Sequence, residues 1–319
     1  MSAGMACMSP QLLHTALTWV RGQRRMWAPM ADYTSLRVGG PADLFLVPAD
    51  LEELRAVVVW ASAQGVPITW LGNGSNLIVR PRGLRGIVVS LRQALNRISL
   101  LEPRQTYDKR PGDLVYARVG AGVPLTRVLH VAIREGLEGL AFAVGIPGTL
   151  GGAMAMNAGT EVGSIWDVVE SATLLCPTGQ MRELRSEEVA VGYRFAALPE
   201  QSVVLAATLR ATQGNPEQIR QQVRTLYRSR GESQPLAYPN AGSIFKNPPS
   251  ERAGCLIDRL GLKGFRIGDA QVSPKHANFI VNLGKASADE VLALIDYVKR
   301  EVHAHTGILL EEEVRIVGE

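Results

Sequence analysis

At 319 residues the chain is long enough for two or three compact units of roughly 100–200 residues, and 46% apolar residues exclude wholesale disorder. A net charge of +4, from 34 basic and 30 acidic residues without a long like-charge block, argues against a nucleic-acid stripe and suits a small anionic ligand. Cys7, Cys176 and Cys255 are an odd, scattered set that excludes a disulfide framework or zinc ribbon, and no apolar run approaches the ~18 residues of a membrane span.

The first residues are expected to be an extension. Arg21, Arg24 and Arg25 follow its apolar part, the reverse of a secretory signal, so it reads as a helical or frayed segment or an over-long start. Ordered structure is expected from near Tyr33. Leu44 to Val47 reads as a strand. Asp50 can N-cap a helix from Leu51 to about Ala63, with Leu54, Val57, Val58 and Ala61 at helical spacing. Pro67 to Leu71, Leu77 to Val79 and Gly86 to Leu91 read as strands, the first two joined by the tight loop Gly72-Asn-Gly-Ser-Asn76.

A second block, about 93–212, shows short turn-bounded strands at Leu114 to Val119, Val168 to Leu175 and Val203 to Leu209, and one helix from Leu125 to Arg134. Between them, 136–163 is glycine-rich. A third block opens with Asn215-Pro216, a cap followed by proline at the first helical position, with Ile219, Val223, Leu226 and Tyr227 on one face. Ser287 to Glu290 form a capping box ahead of the stripe Val291, Leu294, Ile295, Val298 and Val302. A strand is expected around Ile308 to Val317. Short mixed strands with segregated helices imply an α+β protein. The expected division is an extension over 1–30, a domain over 31–212 in two parts near 31–92 and 93–212, and a third over 213–319.

Three segments carry chemistry. In Gly72-Asn73-Gly74-Ser75-Asn76 the glycines let main chain approach a ligand, and the amides can form an anion nest; an ordinary turn fits the spacing equally. It is neither a Rossmann fingerprint nor a P-loop. In Gly145-Ile146-Pro147-Gly148-Thr-Leu-Gly-Gly152, running on to Asn157 and Gly159, little side-chain bulk is available. Either something flat packs on the backbone or the segment is a Gly-rich turn. In Asn240-Ala-Gly-Ser243-Ile-Phe-Lys246-Asn247-Pro248 a serine follows a bare backbone, with no GxSxG elbow. Arg194 lies between Tyr193 and Phe195. Alternation would send Glu311 and Glu313 to one face of the last strand and Glu312 to the other. Arg220, Arg224 and Arg228 form a stripe that is a solvated face or a diphosphate-binding edge. The five histidines show no ligand spacing, so no metal is expected.

Together these segments resemble one family, UDP-N-acetylenolpyruvoylglucosamine reductase (MurB). The resemblance runs in order from Tyr33 to Gly318 through Val38-Gly-Gly-Pro-Ala-Asp43, Leu71 to Leu77, Gly145 to Gly152 with Met156 to Gly159, Gly192-Tyr-Arg194, Asn240 to Pro248, His276-Ala-Asn-Phe-Ile-Val-Asn282 and Glu313-Val-Arg315. The short link from Asn157 to Tyr193 is similar to the branch without a tyrosine-bearing insertion.

The resemblance implies a two-subdomain FAD-binding fold of the vanillyl-alcohol-oxidase (PCMH) type plus a C-terminal substrate domain. It also implies a cytoplasmic monomer, free of membrane and nucleic acid, reducing UDP-N-acetylglucosamine enolpyruvate with NADPH. It assigns Arg194, Ser243 and Glu313 to catalysis. The two glycine segments, through Gly72, Asn73, Gly74, Ser75, Asn76, Gly145, Ile146, Pro147, Gly148, Gly152, Asn157 and Gly159, would hold FAD without a covalent bond, since no His or Cys lies near them. Tyr193, Arg230, Lys246, Asn247 and His276 would meet the substrate. Arg80-Pro81 and Ser233 depart from the family pattern; Arg230 would supply the cation often found near Ser233. A flavin oxidase and a non-catalytic flavin or nucleotide-sugar binder are the rival classes.

Overall fold

The computed structural model describes residues 8–101 and 111–319. The chain gathers into two units with discontinuous boundaries. One comprises 1–25, 45–73 and 86–228; the other comprises 26–44, 74–85 and 229–319. This differs from the division expected from sequence, because 26–44 and 74–85 join the C-terminal residues.

In the first unit, helix α1 (Pro10–Ala16) is N-capped by Ser9 and buries Leu13, while Leu17 behind it is fully buried. Of the readings left open for this segment the helical one agrees with the structure, and the segment also supplies core. Helix α2 (Leu51–Gln64) begins as the sequence implies, with the Asp50 side chain accepting from the Glu53 amide, and it ends at Gly65 in the left-handed region. Its buried stripe includes Leu54, Val57, Val58 and Ala61. Strand Ile68–Leu71 then pairs in parallel with 87–90.

The larger sheet of this unit is antiparallel. Its order is Met181–Arg185, Val169–Leu175, Val203–Gln213, Leu114–Gly120 and Ile98–Leu101, with Leu137–Glu138 also on Val203–Gln213. The central strand runs past the expected end at Leu209 because Thr212 and Gln213 find partners in Leu137–Glu138. Helix α3 (Leu125–Glu135) buries Leu125, Val128, Leu129 and Ala132. The Gln213 amide donates to the Glu135 and Gly136 carbonyls, which the helix end leaves open. A further short helix, α4 (Leu150–Ala155), forms inside the glycine-rich segment, where no helix is expected from its glycines. Helix α5 (Pro216–Ser233) starts at the Asn215 cap, whose Oδ1 accepts from the Glu217 and Gln218 amides. Its expected apolar face is only partly realised: Ile219 is buried, but Tyr227 is 59% exposed.

In the second unit, Asn240–Ser243, Phe279–Asn282, Ala270–Val272 and Arg266–Ile267 form an antiparallel sheet in that order. Helix α6 (Ala253–Arg259) and helix α7 (Ala288–Thr306) complete it. The capping box at Ser287 is formed, and Val291, Leu294, Ile295, Val298 and Val302 enter one core with Ile244, Phe245, Leu256 and Ile280. The expected terminal strand is shorter: only Arg315–Val317 is strand, parallel to Leu77–Val79. Among the described residues no helix is long and apolar enough to cross a membrane.

Candidate active site

Ser243 owes its setting to a bulge. Strand Asn240–Ser243 pairs with Phe279–Asn282 at Asn240 and at Ser243, with a register shift between. Gly242 takes φ 78° there, and the Asn240 side chain accepts from its amide at 3.0 Å. A bulge bends its strand and re-aims the next side chain. The main chain then runs between two others. The Ile244 amide donates to the Asn278 carbonyl at 2.8 Å, and the Ile244 carbonyl accepts from the Glu313 amide at 2.8 Å. The Lys246 amide donates to the Glu311 carbonyl at 2.8 Å, and Phe245 bridges Glu312. Ser243 and Glu313 thus sit on one hydrogen-bonded frame.

The expected alternation of the three glutamates is not realised, because 311–313 is not regular strand. Glu311 pairs with Lys246 at 3.2 Å, and Glu312 with Lys299 of α7 at 2.6 Å; Glu313 is half-buried. Asn76 donates through Nδ2 to the Glu313 carbonyl at 3.1 Å, and its own carbonyl accepts from the Arg315 amide, so this asparagine steadies the glutamate segment. Gly74 and Ser75 precede it, Gly74 packing against the Tyr33 carbonyl. The Asn247 side chain accepts from the Ala253 amide at the start of α6. His276 is half-buried with its ring 4.8 Å from that of Phe279. Burial pushes its pKa down, so the imidazole is neutral, and Nδ1 accepts from the Asn278 amide. Arg230 is half-buried in the last turn of α5. The Ser233 hydroxyl turns back to the Ser229 carbonyl, and Lys275 reaches the neighbouring Gly231 carbonyl. Lys275 is absent from the sequence reading, and Asn240 and Asn278 enter it only within motifs and without a role, since their contacts with main chain are revealed by no spacing.

Arg194 belongs to the first unit. It is the second residue of a two-residue turn joining Val191–Gly192 to Phe195–Ala196. Its φ of 57° lies in the left-handed region, disfavoured for a side chain by about 1–2 kcal/mol. Such strain persists where the surroundings over-determine it. Here the guanidinium lies over the Tyr193 ring at 5.1 Å, and the Asn157 side chain donates to the Gly192 carbonyl at 2.9 Å. Asn157 also accepts from the Trp166 amide, so its amide group is committed to the base of the Arg194 turn. Gly159 lies in the small hairpin below, opposite Ser164.

The glycine segments of this unit are stitched together. Asn73 Nδ2 donates to the Pro147 carbonyl at 2.7 Å. A Cβ on Gly72 would come within 2.5 Å of the Thr149 hydroxyl, so close approach, not a positive φ, demands glycine there. Gly145 turns the chain at φ 68°, Ile146 closes back on Ala143, and the Gly148 carbonyl accepts from Leu125. Gly152 lies within α4.

Comparison with known proteins gives one consistent result. Residues 234–317 match the family UDP-N-acetylenolpyruvoylglucosamine reductase, C-terminal domain, and residues 42–185 match the family FAD binding domain. A UDP-N-acetylenolpyruvoylglucosamine reductase of Heliobacterium modesticaldum is 42% identical over 301 residues, covering 94% of this chain and 92% of its own. One from Geobacter metallireducens is 43% identical over 300 residues, covering 94% and 96%. The crystal structure of UDP-N-acetylenolpyruvylglucosamine reductase (MurB) from Thermus caldophilus superposes with a TM-score of 0.76 at 37% identity, covering 93% of this chain and 99% of that one. The residues fit the flavin nucleotide. Asn73 Oδ1 is a buried acceptor with no partner among the described residues, on a residue flanked by Gly72 and Gly74. A ligand carrying hydroxyl and imide donors would satisfy it.

Proposed function

This chain belongs to the UDP-N-acetylenolpyruvoylglucosamine reductase family, and we propose that it reduces the enolpyruvyl ether of UDP-N-acetylglucosamine enolpyruvate to UDP-N-acetylmuramate. Gly72, Asn73 and the Gly145–Gly152 segment would hold FAD without a covalent bond, and the bound flavin would supply the hydride chemistry, with NADPH as the source. Everything else falls to side chains. As the hydride arrives, negative charge grows on the carbon beside the carboxylate and spreads into it. Arg194 is permanently cationic and planar, and it binds that carboxylate through paired N–H donors. Ser243 delivers the proton that completes the reduction at the same carbon. A hydroxyl is a weak acid in water, but it serves beside a strongly basic centre when held in line. Glu313 orients the carboxylate. Lys246, Arg230, Tyr193 and the neutral His276 meet the rest of the nucleotide sugar.

The observation carrying this reading is the shared frame of Ser243 and Glu313, joined through the Ile244 carbonyl. A mere binder has no use for a bulge-aimed hydroxyl locked to a carboxylate-bearing segment. The test is optical. The purified yellow protein is expected to consume NADPH, followed at its absorbance band, only when the enolpyruvyl UDP-sugar is present. Colourless protein that takes up no FAD, or NADPH oxidation indifferent to that sugar, overturns the reading.

A further inference from the structure

Asn278 is 4% exposed, and both ends of its side-chain amide are spent on one residue. Its Oδ1 accepts from the Phe245 amide at 3.0 Å, and its Nδ2 donates to the Phe245 carbonyl at 2.8 Å. Its main-chain carbonyl takes the Ile244 amide as well. The regular pairing of strand Asn240–Ser243 stops at Ser243, opposite Phe279. Beyond that point Asn278 replaces the missing ladder, with a side chain standing in for a peptide group. On its other edge the same segment holds Glu313 through the Ile244 carbonyl and Glu311 through the Lys246 amide. A slip at Phe245 therefore moves Ser243 and Glu313 relative to each other.

We propose that Asn278 is the positioning residue that sets the register between the proton-donating Ser243 and Glu313, a role that rests on the catalytic reading above. Asparagine suits the task because it offers a donor and an acceptor on one short planar group. Aspartate of the same shape keeps the acceptor and loses the donor, setting a carboxylate against the Phe245 carbonyl. Protonating that aspartate restores both functions. Burial beside a carbonyl raises a carboxyl pKa, which brings the restoration into an accessible pH range.

The experiment is stopped-flow on the flavin-loaded protein, with reduction by NADPH and reoxidation by the enolpyruvyl UDP-sugar followed separately. In Asn278→Asp, reduction is expected to stay near the wild-type rate. Reoxidation is expected to fall about 10²-fold near neutral pH, the effect of roughly an ångström of misplacement. It recovers as pH is lowered, while wild type shows no such recovery. Placed on Ser243→Ala, the change is expected to add nothing, because the group it positions is gone. Additive losses, a slowing of both half-reactions, or unchanged reoxidation each overturn the role. If Asn278→Asp does not retain flavin, Asn278→Ser, whose smaller side chain leaves room for a bridging water, takes its place under the same criteria, the pH criterion excepted. Wild type that is not reoxidised by the sugar would instead sink the function itself.

Discussion

Ser243 follows a glycine at φ 78°, which glycine adopts without strain, whereas Arg194 itself takes φ 57° on a locally costly backbone. Their chemical duties differ, and substitution separates them. In the proposed reaction Ser243→Ala removes the proton donor and leaves hydride delivery to the flavin untouched. Stopped-flow is expected to show NADPH reducing the flavin at nearly the wild-type rate and the enolpyruvyl sugar reoxidising it only at a small residual rate. Equal loss in both half-reactions would refute the assignment. In the proposed reaction Arg194→Ala removes the fixed positive charge that answers the developing negative charge. Loss of one such contact costs about 2.7–4 kcal/mol, or ~10²–10³ in kcat, and a drop below tenfold would argue against it. Both residues are legible as sequence because their neighbours are quotable motifs. Asn157 is legible as a polar group in a small-residue run, but its partner, the Gly192 carbonyl, lies 35 positions away and no pattern points to it.

At the scale of elements, legibility follows local information. Helices α2, α3 and α7 announce themselves through caps and a 3.6-residue stripe. Strands of two to four residues, such as Arg266–Ile267 and Phe279–Asn282, carry too few alternations to declare a period. What anchors the N-terminal segment is not legible for another reason. What fixes it is a buried carboxylate on a distant helix. Glu53 accepts from the Arg21, Gly22 and Ala49 amides, and Arg21 also pairs with Asp50. Burial disfavours the Glu53 charge, yet those three amides and the Arg21 guanidinium outweigh it and hold the pKa below the ordinary carboxylate value. A depressed folded-state pKa stabilises the fold above the unfolded value, about 4.3 for glutamate, and that stabilisation is lost as pH falls through the lower folded value. Glu53→Gln cannot serve three donors with one oxygen. Leaving a buried donor unmet costs about 1–3 kcal/mol. At pH 7 the variant is expected to show faster hydrogen exchange over residues 9–22 and a flatter acid limb in its stability profile. Unchanged exchange there would show that the apolar contacts of Leu13 and Leu17 suffice.

For the whole molecule, the seven motifs in family order are enough to read the fold class, whereas the assembly is not local. Residues 26–44 and 74–85 join 229–319, and hydrophobic periodicity says nothing about which segments gather. The residues proposed to hold FAD pose the same problem in energetic form. Main chain at Gly72 and Gly145–Gly152 is rich in glycine, which loses more backbone freedom on folding than any other residue, and Asn73 Oδ1 is buried without a partner among the described residues. A ligand that supplies the missing donor and packs on the exposed peptide groups binds the folded chain and not the unfolded one. Stability must then rise with its concentration, by about 2.7 kcal/mol at 100 times Kd. Protein stripped of flavin is expected to melt at a lower temperature, and Tm is expected to climb with added FAD. Asn73→Ala removes the acceptor and the bond to the Pro147 carbonyl together, so its melting curve is expected to respond to FAD only at higher concentration. A Tm indifferent to FAD in the wild type would return both segments to ordinary turns, their glycines explained by internal close approach such as that of Gly72 to Thr149.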